Sequence, residues 1–83
     1  MPQRKPPLTP EQHYEIGRRL LAIRDELFEI VLLVHPHVGQ ARLRPLLSAL
    51  SAVDSARSKM SGVFHVQHAR DFDLAAYFPV RNP

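Results

Sequence analysis

Apolar residues return along the first half of the chain in alternating steps of four and three. Ile16, Leu20, Ile23, Leu27, Ile30 and Val34 are spaced 4, 3, 4, 3, 4. That 3.5-residue period lines one face of an α-helix made to pack against another helix. Leu21, Phe28 and Val31 form a second line beside it, and Leu32 and Leu33 complete an apolar circle at the C-terminal end. The remaining side is polar, with Glu15, Arg18, Arg19, Asp25, Glu26 and Glu29. Glu15 precedes Arg18 and Arg19 by three and four residues, a favourable helical pairing of a few tenths of a kcal/mol. The start of this helix is written in Thr9-Pro10-Glu11-Gln12. Thr9 is a capping residue, Pro10 suits the first helical position, Glu11 meets the positive helix end and Gln12 completes a capping box. Pro36 disfavours α geometry at His35, which predicts an end near Val34.

Leu43, Leu46, Leu50, Val53, Met60 and Phe64 repeat the same period, with Arg57 as the one interruption. Ala49, Ala52 and Ala56 run alongside and would let a neighbouring helix come close. Ser48, Ser51, Ser55 and Ser58 mark a polar side. Pro45 is tolerated in a first helical turn, which predicts a start near Leu43 to Pro45. Gly62 either caps this helix or sits inside it at a cost of about 1 kcal/mol. The seam passes through it from Met60 to Phe64, which favours continuation to about His68. Two helices of about 25 residues, each roughly 37 Å long, suit an antiparallel pair. Beyond Ala69-Arg70, residues 71–80 predict a short third helix, capped by Asp71 and stopped by Pro79. Its Phe72, Leu74, Tyr77, Phe78 and Val80 need cover, and the hairpin is nearest.

The expected class is therefore all-α: an antiparallel two-helix hairpin with a short C-terminal helix. Three parts follow: a basic, proline-rich arm over 1–8, the hairpin over 9–70, and the short helix and tail over 71–83. The segment Ile30–Val34 is apolar on every side, and such a helix must be covered from several directions. A second copy forming a four-helix bundle supplies that cover, and two-fold dimers are the commonest oligomers. The seam residues of both helices, together with Phe28 and Val31, are assigned to the core or the dimer contact.

Composition narrows the picture. Eighty-three residues make one small domain with a thin margin of stability, which a second subunit can widen. The chain has no cysteine, hence no disulfide and no thiolate zinc site, in keeping with a reducing compartment. Its first residues carry no apolar leader segment. The longest unbroken apolar run, Ile30–Val34, is far short of the ~20 residues of a membrane span. A cytoplasmic protein without a membrane segment is expected.

Net charge is +3 but uneven: residues 1–8 carry +2, residues 9–35 carry −2, residues 36–70 carry +4 and residues 71–83 carry −1. The acidic first helix and basic second segment can complement each other. Arg4 and Lys5 in the arm, Arg42 and Arg44 at the hairpin corner, and Arg57 and Lys59 further on form a candidate nucleic-acid surface, since clustered cations suffice for non-specific binding. Arg42 and Arg44 also stand near a helix N-terminus. No helix-turn-helix spacing, zinc finger or RNA-binding aromatic motif accompanies them.

Enzyme chemistry finds little footing. The three glycines are scattered, so no phosphate loop exists, and no serine sits in a nucleophile elbow. Glu26 and Glu29 lack the Glu-x-x-His partner motif of di-iron bundles. His35 and His37 flank Pro36 without a third ligand nearby. His65, His68 and Asp71 are spaced three apart and would share a face if the helix ran through them, a weak metal candidate. The five histidines titrate near pH 6.5 when unperturbed. No cofactor is expected. The reading is a non-enzymatic helical homodimer acting through protein–protein contact, as an adaptor or small regulator, with nucleic-acid binding as the alternative.

Overall fold

The computed structural model describes residues 5–79 and places no strand among them. Two long helices, α1 (Pro10–Val34) and α2 (Gln40–Gln67), pack against each other as a hairpin. A 3-10 turn over His35–His37 joins them, and a second 3-10 turn covers Leu74–Ala76. No helix among the described residues is long and apolar enough to cross a membrane. Arg4 of the expected arm and Val80 of the expected third helix lie outside the described residues.

α1 begins as its sequence dictates. The Thr9 side chain accepts from the Gln12 backbone N–H at 3.1 Å, and the Gln12 side chain accepts from the Thr9 N–H at 2.9 Å. Its end differs in detail. His35 takes right-handed helical geometry in spite of Pro36, and the chain tightens into a 3-10 turn instead of turning out at once.

α2 begins one turn earlier than Pro45 suggests. Gly39 is its N-cap, and the Gly39 carbonyl accepts from the N–H groups of Arg42 and Leu43, both at 3.1 Å. Pro45 then sits in the second turn, where its ring deprives only the Ala41 carbonyl of an amide partner. Ala41 is exposed, so water can take that role. The helix passes through Gly62 and stops at Gln67. His68 leaves helical geometry at φ −143° and ψ 65°.

The expected third helix is replaced by a strap. Asp73, not Asp71, caps its single turn, accepting from the Ala75 N–H at 2.9 Å. Asp71 instead donates its N–H to the His68 carbonyl at 3.0 Å, turning the chain back over the hairpin. So short a helix would be marginal by itself. The strap's conformation is set by docking, which buries Ala76 and Tyr77 against Phe64 with Ile16, Leu20, Met60, Phe72 and Phe78 around them.

One contact fixes where the strap lies. A Cβ on Gly17 would fall 1.8 Å from the Ala76 carbonyl oxygen, so the strap crosses α1 where a side chain is missing. At the far end Val31 and Leu43 are buried. Most seam residues between these two ends are only half-buried: Ile16, Leu20, Leu27, Ile30 and Val34 on α1, and Leu46, Leu50, Val53 and Met60 on α2. In its thinnest direction the molecule spans 14 Å, one helix layer with the strap upon it.

Candidate functional site

Two features of the fold carry chemistry: a buried polar clamp beneath the strap, and an uncovered apolar surface over the rest of the hairpin. The clamp centres on His13, which is fully buried and stacks on Phe64 with ring centroids 4.5 Å apart. Its Nε2 lies 2.9 Å from Gln67 Oε1 and its Nδ1 lies 2.7 Å from the Tyr77 hydroxyl. Gln67 Oε1 also accepts from the Leu8 N–H at 3.2 Å, which identifies it as the acceptor. His13 therefore carries its proton on Nε2 and donates it to Gln67, while Nδ1 accepts from the Tyr77 hydroxyl. Burial raises the Tyr77 pKa above its ordinary value of 10.0, keeping the phenol a donor. His68 Nε2 bonds the Leu8 carbonyl, so Leu8 is held by both its backbone groups.

Arg57 is the second half of the clamp. It is buried; its Nε and Nη2 donate to the Tyr77 carbonyl at 3.3 and 2.9 Å, and its Nη1 meets Asp54 at 2.9 Å. The guanidinium also lies over the Phe78 ring, 4.6 Å from its centroid. A buried cation needs such satisfaction. Among the described residues no buried side-chain polar atom lacks a hydrogen-bond partner. The centre of the clamp, His13, Arg57 and Tyr77, is buried, with Asp54 and Gln67 at its solvent edge. Its hydrogen bonds to the Tyr77 hydroxyl and carbonyl tie the strap to both helices.

This changes the basic surface. Arg57 is withdrawn from it, tied to the strap and Asp54. Lys5, Arg42, Arg44 and Lys59 are exposed. Among the described residues, Arg42 and Arg44 form no ion pair with an acid of α1. Glu15 pairs with Arg18 and Arg19 within α1, and their hydrogen bonds hold its carboxyl below the usual range. Arg24 reaches Asp25 and, across the hairpin, Asp54.

His65, His68 and Asp71 are not brought together. α2 ends before His68, so the helical register that would align them is lost. His65 packs edge-on against Phe72 and His68 turns to Leu8. Among the described residues no group of three or more His, Cys, Asp or Glu side chains is placed to hold a metal. His35 and His37 are exposed in the hairpin turn.

The uncovered surface is extensive. Ile23 is 50% exposed, Phe28 41%, Leu32 58%, Leu33 73% and Leu47 44%. All lie on the part of the hairpin that the docked strap leaves bare. Val63 and Val66 add apolar surface on α2 near the other end.

His13, Gly17 and Tyr77 escape a periodicity reading of the sequence as functional positions. A signal for His13 is present nonetheless. Continuing the seam three residues upstream from Ile16 lands on it, just as the seam lands on Arg57 in α2. Known proteins add no constraint: no family, curated protein or solved structure matches the chain.

Proposed function

We propose that the chain works as a non-enzymatic, homodimeric helical module, an adaptor or small cytoplasmic regulator whose two hairpins associate as a four-helix bundle. The observation that carries this reading is the surplus of exposed apolar surface. Ile23, Phe28, Leu32, Leu33 and Leu47 exceed what a monomer scatters singly over its surface, and such patches mark interaction sites. A hairpin one layer thick has no second layer to bury its faces, and domains ordinarily need two. Size-exclusion chromatography with light scattering is expected to give twice the chain mass at micromolar concentration. A folded monomer at 100 micromolar would remove the proposal.

A second reading draws on Arg42 and Arg44, which are exposed and make no ion pair with a described residue. With Lys5 and Lys59 they would bind nucleic-acid phosphates through charge. That predicts an electrophoretic shift of DNA or RNA at low salt that fades steeply with added salt. Arg42→Glu with Arg44→Glu would abolish it. Unchanged nucleic-acid mobility at low salt discards this reading.

A further inference from the structure

We propose that a second copy docks on the hairpin face opposite the strap, with the two α1 helices antiparallel about Ile23. This rests on the dimer reading above and specifies a contact through Ile23; at 100° per residue Phe28 and Leu47 fall on the strap side and stay outside it.

The strap defines two unlike faces. At 100° per residue, Gly17 points to the strap side of α1, whereas Ile23 turns to the opposite face; Ile16 and Ile30 are half-buried between that face and α2, Ile16 also touching the core under the strap. Arg19 and Glu26 flank Ile23 on that face. On α2, Arg57 and Asp54 serve the strap side, and Ala49, Ala56 and Val63 turn the other way. Each set recurs every seven residues. Ile23 is 50% exposed and Val63 36%, and Arg19 and Glu26 are exposed. Nothing within the described chain covers this face along its middle.

Charge and symmetry point to a second copy as the occupant.

Self-docking also requires that a two-fold axis map the face onto itself. His13 stacks on Phe64 and Arg24 reaches Asp54, so residue n of α1 lies level with residue 77 or 78 minus n of α2. Ile23 and Ala56, the middle members of the two stripes, are level to within one or two residues by that rule. A two-fold axis crossing both helices there sets Ile16 of one copy over the partner's Ile30, and Ala49 over the partner's Val63. Ala56 meets itself, and its small side chain lets the two α2 helices approach closely.

The charges choose this axis over its rival. Arg19 and Glu26 stand four residues before and three after Ile23, so the crossing axis sets Arg19 of each copy against the partner's Glu26. An axis parallel to the helices would instead lay Arg19 over the partner's Lys59, its level mate on α2, cation upon cation. Arg19 can turn outward without stranding Glu15, because Arg18 holds the same carboxylate.

The test reads sedimentation equilibrium of charge-swapped chains, with helix content followed by circular dichroism. Arg19→Glu and Glu26→Arg are each expected to weaken self-association about five- to tenfold, since each creates two like-charge contacts per dimer. The double swap is expected to restore it. Ile23→Cys, in a chain without other cysteines, is expected to form a disulfide-linked dimer under mild oxidation. Restored binding together with that cross-link supports the proposal. Tighter association of Arg19→Glu, or cross-linking of Ile23→Cys only to a separate Ala56→Cys chain, overturns the crossing axis. A dimer that ignores both swaps and Ile23→Asp yet dissociates on Leu32→Asp overturns the face while leaving the dimer intact. A monomeric parent chain overturns both.

Discussion

Gly17→Ala is expected to unlatch the strap and destabilise the protein by about 2 kcal/mol. Two effects oppose each other here. Alanine is the better helix former by about 1 kcal/mol in a helix interior. Against that, the new methyl would sit 1.8 Å from the Ala76 carbonyl oxygen and 2.8 Å from its carbon. Both obstacles are backbone, so no rotamer change relieves them, and the strap must lift. Lifting exposes Tyr77, whose burial stabilises by about 1.5–3 kcal/mol, with smaller losses at Ala76 and Phe78. It also breaks the bonds from Arg57 to the Tyr77 carbonyl. Gly62→Ala is the control. A Cβ there meets nothing within 4 Å, and the substitution is expected to stabilise by about 0.5–1 kcal/mol. Urea unfolding of both variants, with the rate of tryptic cleavage at the exposed Arg70, separates the two outcomes. A Gly17→Ala protein as stable and as protease-resistant as its parent would show that the strap does not dock on α1.

His13→Ala is expected to cost more, about 3 kcal/mol. It removes a ring stacked on Phe64 inside a packed site, leaving a cavity. It also leaves the Tyr77 hydroxyl without an acceptor in a buried position. Gln67 retains the Leu8 N–H, so the loss concentrates on the strap. Tyr77→Phe removes only the hydroxyl and should cost about 1–2 kcal/mol. In the double variant the unpaired hydroxyl is gone, so the combined cost should fall short of the sum by about 1 kcal/mol. For a domain of this size, 3 kcal/mol lowers the melting temperature by more than about 10 °C. Strict additivity in that cycle would deny the hydrogen bond between the two side chains.

Much of the hairpin is legible in the sequence because it rests on local rules. Thr9-Pro10-Glu11-Gln12 forms the capping box its residue types require, and the two long helices that the periodicity predicts pack against each other, although Ile23 of the first seam is exposed. Pro45 misleads because the cost of a proline in a second turn is one carbonyl, and an exposed carbonyl has water. The C-terminal segment misleads for a different reason. Its composition admits a helix, but its conformation is decided by a missing side chain on α1, far away in sequence. The clamp is half legible. A histidine and an arginine on otherwise apolar seams announce that something polar must meet them. They do not name Tyr77, which lies 64 residues from His13. The metal candidate fails because spacing on a helix means nothing past the helix end, and α2 stops one residue before His68.

Gln67 Oε1 receives both the His13 Nε2–H and the Leu8 N–H, so one amide oxygen ties the entry of the chain to the buried hydroxyl near its exit. Fraying at either extremity removes support from the other, although almost the entire polypeptide separates them. Unravelling of this pole is then a joint event, and a protease that nicks one tail gains the second as well.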